Sequence, residues 1–161
     1  MTWLLIIFCL AVAVSPLLWM KSSPRQLQIT QFRKIARELG VNVNLHKRPE
    51  ARESEKRLES MFYWLPWRDR TTIEPWVLHR HSNRGRESNY QGWRWVDGKA
   101  DIEWQEMITE TLPRLPSGVT AIIVNRAGIG VIWNERGEQS AAHQICDLIK
   151  QLRKKGEEIY L

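Results

Sequence analysis

Two pairs of residues have types and spacing that could bind a metal. His79 and His81 are two apart, so on a strand they share a face, and His143 and Cys146 are three apart, so on a helix they do too. If the pairs met, they would supply the four nitrogen and sulfur ligands of a zinc site. They are far apart in sequence, however, and neither carries a local metal signature. Cys146 also falls beside an apolar stripe, where cysteine behaves as a small core residue. No metal ligand is assigned.

Gly128-Ile129-Gly130 follows an apolar run, as in a phosphate-binding turn. The segment after it reads as a strand, so no helix N-terminus would meet a phosphate. A hairpin turn explains these glycines. Glu103, Glu106 and Glu110 read as the solvated face of a helix, and Ser88 and Ser140 lack a nucleophile elbow. With no catalytic constellation and no cofactor motif, the chain reads as non-catalytic.

Basic and aromatic residues interleave through Trp67, Arg68, Arg70, Trp76, Arg80, Arg84, Arg86, Tyr90, Trp93, Arg94 and Trp95. Strand-borne aromatics flanked by arginines can stack single-stranded bases, so a nucleic acid is one partner to test. The bland counterpart puts the tryptophans in the core and the arginines outside, as the alternation Trp93-Arg94-Trp95 would do.

Charge points the same two ways. The chain carries a formal +6, and residues 21–99 hold 17 basic and 9 acidic side chains against 7 and 9 in residues 101–161. The basic half suits an anionic partner, whether lipid head groups or nucleic acid. Arg33, Lys34, Arg37, Arg68, Arg70, Arg80, Arg84, Arg86 and Arg94 are the candidate contacts. Two cysteines, Cys9 and Cys146, make no disulfide framework.

The elements that must position these residues follow from periodicity. Ser23-Pro24-Arg25-Gln26 reads as a capping box with proline at the first helical position, and Gly40 ends that helix. Residues 41–45 alternate as a strand with one buried face. Residues 61–67, 76–81 and 92–96 read as three aromatic strands in a meander, with a polar loop over 82–89. Residues 101–112 are helical. Residues 119–124 are apolar apart from Thr120 and so central in the sheet, and 129–133 return antiparallel. A last helix over 138–155 is closed by Gly156.

Residues 1–20 hold no charged side chain, and a helix over them would be about 30 Å long, matching a hydrocarbon core. Trp3 and Trp19 would sit at the two interfaces, with Lys21 and Arg25 following on the cytoplasmic side. Ala11-Val12-Ala13 imitates a signal-cleavage site, but Met-Thr offers no basic n-region. The expectation is a transmembrane anchor over 1–22 and a cytoplasmic domain over 23–161. The fold class is α+β, with a mostly antiparallel sheet packed by about three helices. The location is the bacterial inner membrane, single-pass and N-out. A periplasmic domain released by signal cleavage is the alternative topology.

The stretches SPLLWMKSSPRQ, FRKIARELGVNV and IIVNRAGIGVIWNERG resemble a group of uncharacterised short single-span proteins of Gram-negative bacteria. Such proteins are sometimes labelled preprotein translocase subunit YajC, to which the layout is similar: an N-out span followed at once by a Pro-and-basic segment. The resemblance implies a membrane setting and carries no chemistry. The functional expectation is a membrane-tethered protein-interaction or assembly module. Its partners would be the lipid bilayer and a membrane-proximal protein, with nucleic acid binding as the alternative.

Overall fold

The computed structural model describes residues 2–4, 6–8, 12, 23–49, 51, 59–68 and 73–160. Helix α1, Pro24–Glu38, starts as its sequence requires. Ser23 Oγ accepts from Gln26 N at 3.3 Å, and Gln26 Oε1 accepts from Ser23 N at 3.2 Å. Gly40, at φ +78°, supplies the left-handed residue that turns the chain out of the helix. Strand β1, Asn42–Lys47, follows at once. Strands β2 (Glu59–Pro66), β3 (Trp76–Arg80), β4 (Arg86–Glu87) and β5 (Trp93–Asp97) come next. Then come α2 (Ile102–Thr111), a 3-10 turn (Leu112–Arg114), β6 (Val119–Val124), β7 (Gly128–Trp133) and α3 (Gln139–Tyr160).

All seven strands form one antiparallel sheet in the order β1-β2-β7-β6-β3-β5-β4. The expected α+β class with an antiparallel sheet and helices is present, and β6 is central. The expected meander holds only in part: β3 and β5 are antiparallel neighbours, but β2 does not lie beside β3. β7 and β6 separate β2 from β3, because two nearly continuous apolar strands need neighbours and cover on every side. β4 pairs only through Arg86 and Glu87, too short to leave a sequence pattern.

The helices cover one face of the sheet. Tyr63, Trp76, Leu78, Trp95, Ile122, Val131 and Trp133 meet Phe32, Trp104, Ile108, Ile145 and Ile149 there in one core. A bulge between Val119 and Ala121 resets the alternation of β6. The opposite face carries a smaller cluster: Phe62, Ala121, Ile123 and Ile132, with Trp64 and Val77 beside them.

The glycines that read as a hairpin turn divide the work. Asn125 and Gly128 exchange backbone hydrogen bonds and close the β6–β7 turn. Gly130 lies within β7, where a Cβ would collide with the Tyr63 carbonyl of β2.

Gly156 does not end the last helix, which runs on to Tyr160. A Cβ at this position would come within 2.6 Å of Trp104 Cη2. The glycine is a packing device that lets α3 close on a buried indole. Helix propensity alone would credit Gly156→Ala with about 1 kcal/mol of stabilisation. Crowding of the fully buried Trp104 should reverse the sign, giving a net loss of about 1–2 kcal/mol in chemical denaturation.

The membrane expectation is corrected. Among the described residues no helix is long and apolar enough to cross a membrane. Residues 2–4, 6–8 and 12 are helical, and the rest of 1–22 lies outside the described residues. The transmembrane helix over 1–22 and the single-pass inner-membrane location are therefore unsupported. Trp3 is described, at 76% exposure. Trp19 and Lys21 lie outside the described residues, as do residues 50 and 52–58 between β1 and β2.

Candidate partner-docking edge

The metal pairs do not meet. Cys146 belongs to the helix-side core, whereas His79, next to the core residue Leu78 on β3, faces the other side of the sheet. His143 is exposed, with Nδ1 3.2 Å from the Gln139 carbonyl. Among the described residues no group of three or more His, Cys, Asp or Glu is placed to hold a metal ion.

Ser88 is tied into its own turn. Its hydroxyl lies 2.6 Å from the Trp93 carbonyl and accepts from Tyr90 N. Glu103, Glu106 and Glu110 are exposed, and Glu110 pairs with Lys155 at 3.6 Å.

The interleaved tryptophans are core, and Tyr90 is half-buried against it. Trp67, Trp76, Trp93 and Trp95 are all buried, and Trp76 packs edge-on against both Trp95 and Trp104. The arginines between them are dispersed. Arg68 Nε sits 3.9 Å from buried Glu157, and Arg94 pairs with Glu87 at 3.5 Å. Arg86 donates to the Gly98 carbonyl and Arg84 to the Ala51 carbonyl. Arg80 is half-buried at the end of β3, and Arg70 lies outside the described residues.

On α1, Arg25 donates to Gln28 Oε1 and to the Asn134 carbonyl, Lys34 pairs with Glu38, and Arg37 donates to the Arg33 carbonyl.

Among the described candidates Arg33 makes the shortest ion pair. Its Nε and Nη2 donate to the two oxygens of Glu135 at 2.7 and 2.9 Å. Tyr63 Oη donates to the same carboxylate at 2.9 Å. Glu135 is 5% exposed and sits at φ +55°, a conformation that non-glycine residues disfavour. Three hydrogen bonds hold it there. Arg33 is pushed up by the Glu135 hydrogen bond, and Tyr63 by burial and the neighbouring carboxylate. This latch joins α1, β2 and the connection into α3. Sequence reasoning missed it because its partners lie 102 and 72 residues apart.

Burial also pushes the Cys146 thiol up to about 11. In a Cys9→Ser background the folded chain should resist iodoacetamide at pH 8, while the urea-unfolded chain reacts. The sign of the pH effect follows. The unfolded thiol ionises near its ordinary value of 9.0 and the folded one near 11. The stability contribution is full below pH 9 and falls as pH climbs towards 11.

The latch has a consequence for β1. α1 runs straight into β1 through Gly40, so anchoring α1 also anchors the edge of the sheet. β1 pairs with β2 from Asn42↔Trp64 to Lys47↔Glu59 without a bulge. It stands last in the strand order, and among the described residues nothing pairs with its outer side. The expectation of one buried face over 41–45 holds at Val41, which is buried, and fails towards Leu45. Val43 and His46 are half-buried, and Leu45 is 65% exposed. Proteins usually blunt such edges with proline, bulges, short strands or charge. Of these β1 has only Lys47 at its end.

Comparison with protein-family models, curated proteins and solved structures finds no match. The resemblance to short single-span inner-membrane proteins and to the YajC subunit is therefore withdrawn, because no family relationship supports it and no spanning helix is found among the described residues.

Proposed function

We propose that this domain is a non-catalytic protein-interaction module that takes an acidic, extended segment of another protein as an eighth strand on β1. The observation that carries this reading is the open outer edge of Asn42–Lys47: six residues, unbulged and free of proline. Strand addition satisfies such an edge with main-chain hydrogen bonds, while alternate side chains give specificity.

Charge selects the occupant. Residues 39–49 contain no Asp or Glu but end in His46, Lys47 and Arg48. A second copy of a chain carrying +6 is repelled, and a segment with carboxylates is attracted. Exposed Leu45 offers the apolar contact.

A photo-crosslinking residue placed at position 45 tests this. The adduct is expected to map to an extended segment rich in Asp and Glu in one partner protein, and the same residue at Ile102, exposed on α2, should not capture it. Adducts at position 45 that map to a second copy of this chain, or to basic or helical segments, would reject the reading.

A further inference from the structure

The side of the sheet away from β1 carries a cavity of its own. Strand β3 ends at Arg80, and the chain returns to β5 through residues 81–92, β4 included. This loop and the start of β5 frame a cavity of about 440 Å³, within the range that holds a small organic ligand. Its lining comes from residues 81–94, around β4, the strand farthest from β1 in the sheet order.

We infer that this cavity binds an uncharged sugar ring. His81, Asn83 and Gln91 line it, and among the described residues none of their side chains has a hydrogen-bond partner. The amides of Asn83 and Gln91 carry no charge, and each offers both a donor and an acceptor. A sugar hydroxyl offers the same two, so each amide can meet it in either sense or bridge two neighbouring hydroxyls. Tyr90 and Trp93 add aromatic surface, against which the C–H face of the ring can lie. Arg94 and Glu87 pair with each other at 3.5 Å, so an anionic ligand would compete with Glu87 for that guanidinium.

The lining is held in place before any ligand arrives. Ser88 Oγ accepts from Tyr90 N at 3.1 Å and lies 2.6 Å from the Trp93 carbonyl. Tyr90 Oη donates to the Gln105 carbonyl at 2.7 Å. His81 sits at φ +57°, a conformation that suits glycine better than a residue with a Cβ, and its N–H donates to the Gly92 carbonyl at 2.7 Å. A Cβ on Gly92 would come within 3.8 Å of His81 Cε1, so the imidazole lies over Gly92. A ligand contact explains an imidazole at a position whose backbone favours glycine, since strain of this kind gathers at binding sites.

NMR titration of the isotope-labelled full chain with the methyl glycosides of glucose, galactose and mannose is the test. At least one should give saturable shifts in the amides of residues 81–94, with affinity weakened at least tenfold by Asn83→Ala and by Gln91→Ala. Both side chains are exposed, so neither change should disturb the fold. His81→Gly should also weaken binding while the urea-unfolding midpoint stays level or rises, a split that a merely structural histidine would not give. Leu45→Glu, on the β1 edge, should leave sugar affinity unchanged. Added salt should leave it unchanged too, because the ligand carries no charge. No saturable shift with any of the three glycosides would overturn the assignment, as would glycerol binding as tightly as the sugar. Tighter, salt-sensitive binding of glucuronate would overturn it in favour of an anion at Arg94.

Discussion

Arg33→Ala is expected to destabilise the fold by about 2–3 kcal/mol in chemical denaturation. Removing one partner of a buried pair usually costs about 3–5 kcal/mol, because the other charge stays buried and unpaired. Glu135 is that charge, at 6% side-chain exposure. The Arg33 side chain is 36% exposed, so solvent screens part of the interaction and the figure is reduced accordingly.

Tyr63→Phe removes one of the three hydrogen bonds to Glu135 and should cost about 1 kcal/mol. Arg33→Ala combined with Glu135→Gly should cost clearly less than the two single changes added together. The double variant leaves no stranded carboxylate and frees the position from its strained φ. A cost below about 0.5 kcal/mol for Arg33→Ala would reduce the latch to an ordinary surface ion pair. The loss should also reach β1: with α1 loosened, amide exchange along Asn42–Lys47 should quicken more than in the central strand β6.

The double substitution Leu45→Glu and Lys47→Glu is expected to weaken partner binding at least ~100-fold, since like charges facing each other across an interface cost several kcal/mol. Both side chains are exposed, and Lys47→Glu sets like charge opposite Glu59, so stability should fall by no more than about 1 kcal/mol. That separation matters, because it makes loss of binding readable without loss of fold. Ile102→Glu, at the exposed apolar residue of α2, should leave binding intact. If the double substitution leaves the affinity for the acidic segment unchanged, β1 is not where the segment docks.

Local signals in the sequence were readable where the physics is local. Ser23 and Gln26 cap α1 as their spacing requires, and the largely apolar run of β6 lies at the middle of the sheet. Trp93 and Trp95 are buried with Arg94 facing the other way. What was not readable depends on partners distant in the chain. β2 and β3 look like neighbours in a meander, but the β6–β7 hairpin, encoded some 50 residues later, inserts between them. Gly156 looks like a helix stop until Trp104 is seen above it.

Glu135 reads as a loop acid, and only its ion pair with Arg33 reveals its role. The alternation Asn42-Val43-Asn44-Leu45 suggests a half-buried strand, yet burial depends on what lies alongside, and β1 is an edge. The apolar start of the chain shows the same weakness. Composition alone suggested a span, and no spanning helix is found among the described residues.

Amide hydrogen exchange along Asn42–Lys47 tests strand addition most directly, measured on the full chain with and without a synthetic peptide copying the acidic segment crosslinked at position 45. Alternate amides of β1, those that point away from β2, should gain at least about tenfold protection, while β6 amides stay as they were. Unchanged exchange along β1 in the presence of saturating peptide would contradict the proposal.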